Sequence, residues 1–210
     1  MPPRPIQVRK RDLAVALQRV NPHPKPRLAL EQYTVPADLA AEILFTACYV
    51  HDDIEGKSVV DLGTGTGRLA LGASLLKAEY VVGVDVDKPS LTVAAKAGKM
   101  LGVQVDWVLG GIETIRGRVN TVVMNPPFGT KDPHADIKFL GVALEIANVV
   151  YSIHKSATRT FLKRWLEERG CKSEVLTSKM EIPHQFDFHQ KKRQFVNVSV
   201  LRILSKPQRL

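Results

Sequence analysis

The tetrapeptide Asn125, Pro126, Pro127 and Phe128 carries the most distinctive chemistry in this sequence. It directly follows the apolar run VNTVVM, which is typical of a strand. Proline fixes φ and has no N–H, so the Asn125 side-chain oxygen and the Pro126 carbonyl can both stay free of local hydrogen bonds. An amino group on an aromatic ring offers two N–H donors, which these two oxygens could accept together. The segment therefore predicts a site for an aryl amine, with Phe128 stacked on its ring.

Two such acceptors would also change the reactivity of the amine. The lone pair of an aryl amine is delocalised into the ring, which makes the nitrogen a poor nucleophile. Acceptors at tetrahedral angles favour a pyramidal nitrogen, so they bind the transition state of an attack better than the flat ground state. If the amine attacks the methyl group of a sulfonium ion, the donor already carries positive charge. Transfer of that methyl group to the amine then needs no metal. The alternative is a turn that only ends a strand, with Phe128 in the core.

A glycine-rich loop, VVDLGTGTGRLA, is the second informative segment. Gly63, Gly65 and Gly67 follow a predicted strand and precede a predicted helix, where backbone N–H groups can approach a ligand closely. Arg68 stands where the dinucleotide fingerprint has its third glycine, which argues against pyrophosphate binding. Asp61, just before the glycines, could accept hydrogen bonds from the loop or from a ligand ammonium.

A further acid, Asp85, ends the next predicted strand in YVVGVDVDKPSL. It lies about 20 residues beyond the loop, where a carboxylate typically binds ribose hydroxyls. Asp87 is predicted to be the N-cap of the following helix. A glycine turn with helix caps and no ligand is the alternative explanation of both segments.

The elements that must position these residues alternate along the chain. Short β-branched runs that alternate with helical patterns predict an α/β fold whose parallel sheet is covered by helices on both faces. Parallel strands are predicted at 58–62, 80–86, 103–109, 119–124 and 147–154. Helices are predicted at 68–76, 90–101, 136–146 and 158–169. Two final strands, at 173–179 and 194–204, have no helix between them and should pair antiparallel.

This order predicts a Rossmann-like, seven-stranded, mostly parallel sheet with an antiparallel C-terminal pair, the fold of class I S-adenosylmethionine-dependent methyltransferases. Ahead of it, residues 6–20 predict a basic helix. Residues 21–28, NPHPKPRL, predict an extended connector, because three prolines alternate there. A second helix should begin near Pro36. We divide the chain into a basic N-terminal segment, 1–35, and a methyltransferase domain, 36–210.

Net charge indicates the kind of partner. The 210 residues carry a formal charge of +9, which favours polyanions: nucleic acid first, an acidic membrane surface second. Ordinary solvated charge is the alternative. The candidate RNA contacts are the basic side chains of the N-terminal segment, of HKSATR and of the last loop: Arg9, Lys10, Arg11, Lys25, Arg27, His154, Lys155, Lys191, Lys192 and Arg193.

The two cysteines, Cys48 and Cys171, belong to no C-x-x-C pair and have no histidines at metal spacing. They are expected to be free thiols in a reducing compartment, and no metal site is predicted. No run of about 18 apolar residues occurs, so we expect a cytoplasmic protein.

Several ordered stretches resemble one known family, from about Leu30 to Ile203. They are LEQYTVPADLAAEIL, DDIEGKSVVDLGTGTGRLALGASLL, VVGVDVD, VVMNPPFGTK, YSIHKSATRTFL and FDFHQKKRQFVNVSVLRI. Together they are similar to the methyltransferase-like protein 5 group, N6-adenine methyltransferases of small-subunit ribosomal RNA, and its archaeal relatives. The ordered set is far more specific than N-P-P-F, which other amino-group methyltransferases also carry.

The resemblance implies S-adenosylmethionine as the methyl donor and a role for each matching segment. Gln32, Tyr33 and Thr34 would close over its methionine end. The loop residues Gly63, Thr66 and Gly67 would line the cofactor site, and Asp85 would hold the ribose. Residues 125–128 would receive the target adenine, with Asn125 also beside the cofactor.

One position departs from the family pattern. After the third strand such enzymes often place an acid against the cofactor adenine, whereas this chain has Gly111 and Ile112. Those two residues offer only backbone and apolar contacts, and Glu113 is a possible substitute for the acid. The resemblance also implies a small zinc-binding activator protein that adds a strand or covers an apolar surface.

Two other functions compete with RNA adenine methylation. Protein glutamine N5-methylation would use the same tetrapeptide motif, usually with tyrosine in the last place, and the positive charge counts against it. A non-catalytic RNA-binding protein that keeps only the fold is the second. Measurement of cofactor binding separates that last case, because such a protein should bind no S-adenosylmethionine.

Overall fold

The protein folds around one seven-stranded sheet. The computed structural model describes residues 8–129, 133–183 and 193–206. The strands are β1 (Ser58–Leu62), β2 (Tyr80–Asp85), β3 (Asp106–Leu109), β4 (Val119–Met124), β5 (Ala147–Lys155), β6 (Lys172–Pro183) and β7 (Arg193–Leu204). Their order across the sheet is β3-β2-β1-β4-β5-β7-β6. The first five pair in parallel, and β7 pairs antiparallel with both β5 and β6. The predicted fold class is confirmed.

Helices cover both faces of this sheet, which explains why its strands are apolar on both sides. They are α1 (Lys10–Gln18), α2 (Ala37–Tyr49), α3 (Arg68–Leu75), α4 (Lys88–Leu101), α5 (Ala135–Ile146) and α6 (Arg159–Glu167). Val59 and Val123 belong to a core shared with α1, α2 and α3. Leu62 and Met124 belong to a second core, shared with α5 and α6. Within the described part of the chain, no helix is long and apolar enough to cross a membrane.

Strand β3 starts three residues later than predicted because α4 uses the preceding backbone for its own cap. Gly102 has a φ of 68°, and the Val103 N–H donates to the Gly98 carbonyl at 3.1 Å. This is the hydrogen bond of a Schellman C-cap. Val103 therefore ends the helix and does not join the strand ladder. At the other end of α4, Asp87 accepts the Ser90 N–H at 2.9 Å, as predicted for its N-cap.

Helix α1 is shorter than predicted, yet it is firmly packed. Leu13 and Leu17 are almost completely buried and belong to the core that contains α2 and α3. Close approach is possible because Gly72 of α3 has no side chain: a Cβ there would lie 2.3 Å from Leu44 and 3.3 Å from Leu17. The basic N-terminal helix is thus part of the same packed body, and the division at residue 35 stays a prediction.

Candidate active site

A cavity of about 320 Å³ opens at the carboxyl edge of the sheet. Strand β1 lies between β2 and β4. The connection after β1 therefore leads to one side of the sheet and the connection after β4 leads to the other. Ligands of open α/β sheets bind at such a switch. All predicted cofactor residues except Gly67 line the cavity: Gln32, Tyr33, Thr34, Asp61, Gly63, Thr66, Asp85, Gly111, Ile112 and Asn125.

The glycine loop is shaped by its left-handed backbone. Gly63, Gly65 and Gly67 have φ values of 68°, 55° and 82°, a region that L side chains rarely adopt. Gly67 lies under the loop, because a Cβ there would approach the Trp107 ring to 2.6 Å. Gly65, which the predicted cofactor set omits, lines the cavity and donates its N–H to Asp85 Oδ2 at 2.8 Å. The loop thus offers bare backbone to a ligand on one side and is packed on the other.

Asp61 holds the start of this loop through hydrogen bonds to Thr64 and to α3. It is 1% exposed, and its Oδ2 accepts the Thr64 hydroxyl at 2.6 Å and the Ala70 N–H at 3.0 Å. Among the described residues Oδ1 accepts no hydrogen bond. Burial raises the pKa of Asp61 to about 7, although the two hydrogen bonds oppose this. A cationic ligand group beside Oδ1 would favour the ionised form.

The raised pKa makes the stability of the protein depend on pH. Asp61 releases its proton near pH 3.8 in the unfolded chain and at a pH of about 7 in the folded protein. Between these values the folded state holds an extra proton, so stability is lost as the pH rises from about 3.8 to about 7 and changes little above that. The amide that replaces the carboxyl group in Asp61→Asn cannot ionise. Relative to the parent, this variant should therefore gain a few kcal/mol of stability between pH 5 and pH 8, at roughly 1.4 kcal/mol per pKa unit.

Thermal melts without ligand, at several pH values from 5 to 8, measure this difference. Relative to the parent, the melting temperature of the variant should rise from pH 5 to about pH 7 and change little above it. A constant difference across that range would show that ionisation of Asp61 has no effect on folding.

Asp85 connects the glycine loop to the start of α4. Its Oδ2 accepts the Gly65 N–H and its Oδ1 accepts the Asp87 N–H, each at 2.8 Å. Each carboxylate oxygen has a second lone pair, so both can still accept a ligand hydroxyl. Burial raises the pKa of Asp85, and the two backbone hydrogen bonds lower it. The carboxylate therefore lies in a defined position at the cavity wall.

Asp87 anchors the N-terminal connector beside this wall. His23 Nε2 lies 2.7 Å from Asp87 Oδ2, with both side chains buried, and the Arg27 guanidinium bonds to Oδ1. Because His23 Nδ1 accepts the Lys25 N–H at 3.0 Å, Nε2 must carry the proton and donate to Asp87. Burial alone would raise the pKa of Asp87, but the hydrogen bonds from His23 and Ser90 lower it to about 2. The ionised carboxylate thus holds the connector against α4.

The carboxyl group of Glu113 occupies the space that a side chain at position 111 would need. A Cβ built on Gly111 would meet the two Glu113 carboxyl oxygens at 2.7 and 2.8 Å. Both residues line the cavity. An acid is therefore present at this wall, but it is supplied from two residues further along the chain.

At the opposite wall, the Asn125 amide has a fixed orientation. Its Nδ2 donates to the Tyr33 carbonyl at 3.2 Å. A carbonyl can only accept, so the other amide atom must be the oxygen. Asn125 Oδ1 is buried without a hydrogen-bond partner among the described residues. A buried acceptor without a donor is costly, and here it faces a ligand-sized cavity.

The rest of the tetrapeptide surrounds this amide. Pro127 lines the cavity, whereas Pro126 is buried and is not part of the cavity wall. The role of the Pro126 carbonyl as an acceptor therefore stays a prediction. Phe128 is partly buried, with Lys155 Nζ 5.5 Å from its ring centroid. Its backbone N–H donates to Glu31 Oε2 at 2.9 Å. The loop is thus held at both of its ends by the segment 31–33.

The candidate RNA contacts have different environments. The exposed residues among those described are Arg9, Lys10, Arg11, Lys25 and Arg27, while Lys155 is half-buried. His154 is only 1% exposed, 2.7 Å from the Ser152 hydroxyl and 3.6 Å from Asp136. An imidazole buried in this way cannot reach a phosphate, so the prediction that His154 contacts RNA is wrong. Lys191 and Lys192 lie outside the described residues, and of Arg193 only the backbone is described.

Several cavity residues are absent from the predicted site, among them His23, Glu31, Lys138 and Phe139. The first two come from the proline-rich connector and the segment after it, and the others from α5. Neither the connector nor α5 has a motif or spacing that indicates a ligand, and in LEQYTV the family resemblance assigned roles only to Gln32, Tyr33 and Thr34. Phe139 is far from the glycine loop in sequence but packs against it in the fold: a Cβ on Gly63 would lie 2.9 Å from its ring.

Proteins similar to this chain in sequence and in fold include several methyltransferases. Residues 46–125 match the family model of ribosomal protein L11 methyltransferase (PrmA). The crystal structure of PH1948 from Pyrococcus horikoshii, a candidate RNA methyltransferase, has a TM-score of 0.87 and 41% identity, covering 95% of this chain and 99% of its own. MJ0284 of Methanocaldococcus jannaschii is 36% identical over 93% of this chain and 94% of its own length.

Relatives with assigned activities share nearly the whole chain. The Drosophila melanogaster rRNA N(6)-adenosine-methyltransferase Mettl5 is 35% identical over 93% of this chain and 96% of its own length. The Danio rerio METTL5 is 33% identical over 91% of this chain and 97% of its own. The match thus extends over nearly the full length of both proteins. The chain therefore belongs to the METTL5 family of rRNA N(6)-adenosine-methyltransferases.

Proposed function

We propose that this chain transfers a methyl group from S-adenosylmethionine to N6 of an adenine in ribosomal RNA, in the small subunit. The observation that carries the proposal is the buried Oδ1 of Asn125, which has no hydrogen-bond partner among the described residues and whose amide is oriented by the Tyr33 carbonyl. The exocyclic amine of adenine is a donor of the kind that this oxygen lacks among the described residues. Family membership and the net charge of +9 support RNA as the substrate.

The cavity suits S-adenosylmethionine. The left-handed glycines leave the loop backbone open, and no described atom lies within 4 Å of a Cβ built on Gly65. Asp85 would accept the ribose hydroxyls, and Asp61 Oδ1 would accept an ammonium. Gln32, Tyr33 and Thr34 would enclose the methionine end. When bound, this cofactor supplies an electrophilic methyl carbon on a positively charged sulfur.

The residues of this chain would then act mainly by orienting the target amine relative to the methyl carbon. Asn125 Oδ1 would accept one N–H of the target amine, and the Pro126 carbonyl the other. Both acceptors favour a pyramidal nitrogen, so they stabilise the transition state more than the ground state. Phe128 would support the base, which must leave its helix or come from a single-stranded region. The proton is lost after transfer, so no strong base is required beforehand.

Glu113 would accept a hydrogen bond from the amino group of the cofactor adenine, since its carboxyl group fills the space beside Gly111. Glu113→Ala should weaken S-adenosylmethionine binding about 10-fold, the magnitude of one hydrogen bond to a charged group. Calorimetric titration measures the effect, with Glu79→Ala as a control outside the cavity. An unchanged affinity would leave only backbone and apolar contacts at this wall.

The RNA would cross the basic residues around the cavity mouth. Lys155 lies over Phe128, and Lys25 and Arg27 belong to the connector that passes Asp87. These side chains would contact phosphates and orient the RNA without reading its sequence. Lys191, Lys192 and Arg193 are proposed contacts from the sequence alone.

A small zinc-binding activator is also proposed. Strand β3 is at the edge of the sheet, and Leu109 at its end is 56% exposed. An unpaired strand edge can accept a strand from another protein. Light scattering of this chain mixed with such a protein would show a larger, one-to-one particle, and separate masses would argue against it.

Nucleoside mass spectrometry tests the proposed function. Ribosomal RNA is incubated with the protein and S-adenosylmethionine that carries a deuterated methyl group, then digested. Labelled N6-methyladenosine is the expected product. Label only in protein glutamine would indicate the competing methylation, and absence of cofactor binding would indicate a non-catalytic protein.

A further inference from the structure

Glu31 combines a buried carboxylate with an unusual backbone at the wall of the cavity. Its φ is 47°, in the left-handed region that non-glycine residues seldom adopt. It is nevertheless only 8% exposed, although carboxylates are almost never buried without partners. Surrounding contacts must therefore hold this residue in an unfavourable conformation, and such residues cluster at functional sites.

The contacts of Glu31 lead to both ends of the target loop. Its side-chain Oε2 accepts the Phe128 N–H at 2.9 Å. Its backbone carbonyl accepts the Tyr33 N–H at 2.8 Å, and the Tyr33 carbonyl in turn accepts Asn125 Nδ2 at 3.2 Å. Glu31 is thus bonded to one end of the loop directly and to the other through Tyr33.

Geometry explains why this arrangement matters for the reaction. The two prolines between Asn125 and Phe128 donate no N–H, so the loop cannot brace itself with local hydrogen bonds at those positions. The Phe128 N–H is the next donor along the chain, and a carboxylate acceptor gives it a stronger bond than a carbonyl would. Without that bond the backbone around Pro127 and Phe128 could shift relative to the Asn125 oxygen.

We propose that Glu31 is a positioning residue, whose carboxylate holds the loop 125–128 in the conformation that presents its acceptors to the target amine. This role rests on the proposed function and adds to it a residue that does not itself touch the reacting atoms. It also divides the roles of the segment 31–34: residues 32–34 would enclose the cofactor, while the Glu31 carboxylate and the Tyr33 carbonyl set the target side.

Glu31→Ala and Glu31→Gln test the proposal together. Alanine removes the acceptor, and glutamine keeps an oxygen for the Phe128 N–H. We expect Glu31→Ala to lower kcat about 10- to 100-fold, as displacement of reacting groups by an ångström does. The Kd for S-adenosylmethionine should change less than about two-fold, and glutamine should restore most of kcat.

Asp52 supplies the matched control. It is also an acid with a left-handed backbone, φ 56°, but its side chain is 81% exposed and pairs with Lys57. Asp52→Ala should therefore keep the parent kcat. Equal losses of kcat in Asp52→Ala and Glu31→Ala would point to general backbone strain and would overturn the positioning role.

Amide hydrogen exchange gives a readout that does not depend on activity. In Glu31→Ala the Phe128 N–H should exchange faster, and glutamine should restore its protection. Unchanged exchange, or joint loss of kcat and cofactor binding that glutamine does not rescue, would overturn the proposal. If the parent protein methylates no ribosomal RNA, the proposed function fails, and the exchange experiment still decides whether Glu31 anchors the loop.

Discussion

Replacement of Asn125 by alanine is expected to lower kcat for adenine methylation by about 10²- to 10³-fold, the loss typical of one preorganised transition-state hydrogen bond. The Asn125 oxygen is buried and has no partner among the described residues, so its hydrogen bond would form only with the target. The Kd for S-adenosylmethionine should stay nearly unchanged, because Asp85 and the glycine loop are untouched. Single-turnover kinetics and calorimetry measure the two quantities separately.

Two further variants sharpen this test. Asn120 lies in the same strand, β4, but at its far end, where it accepts hydrogen bonds from Ser58. Asn120→Ala should keep full activity. Asn125→Asp keeps an oxygen but loses the N–H that the Tyr33 carbonyl accepts, so it should also be nearly inactive. Loss of cofactor binding together with activity in Asn125→Ala would mean that the residue is structural.

Local sequence patterns predicted the central part of the fold well. Strands β1 and β4 have the predicted bounds, because their apolar runs end sharply at a glycine loop and at a proline pair. The sequence also placed Asp61, Asp85 and Asn125 at the carboxyl ends of parallel strands, so their convergence followed from the topology alone. The start of β3 was misplaced because the capping hydrogen bond of α4 uses Val103, which the apolar pattern assigned to the strand.

The residues that hold the site could not be predicted in the same way. His23 and Glu31 act through partners 64 and 97 positions away in the sequence, and no local spacing encodes such pairs. Glu113 was considered only because Gly111 departs from the family pattern, and its position became clear once the space beside Gly111 was known. His154 was grouped with the basic side chains of HKSATR although the predicted strand already included it, and in β5 its imidazole is buried.

Asp85→Ala is expected to weaken S-adenosylmethionine binding by about 10²-fold or more. The substitution removes the ribose acceptor and also leaves the Gly65 and Asp87 N–H groups without theirs. Each lost hydrogen bond to a charged group is worth roughly 1.5–3 kcal/mol, and the glycine loop would lose its fixed position as well. Calorimetric titration measures the affinity. Asp106→Ala, an exposed aspartate at the far end of the neighbouring strand, should bind like the parent protein.

The pH dependence of binding adds a second, independent check on Asp85. Burial raises the pKa of this carboxyl, so protonation should begin at a higher pH than for an ordinary aspartate. Because the protonated form accepts hydrogen bonds less well, the affinity of the parent protein should fall as the pH is lowered through that raised value. Protonation of Asp61 adds its own fall in both proteins, so Asp85→Ala should show a smaller loss of affinity than the parent. If Asp85→Ala kept both the parent affinity and the parent pH profile, the ribose would have to be held by other groups, and the acid would serve only to shape the loop.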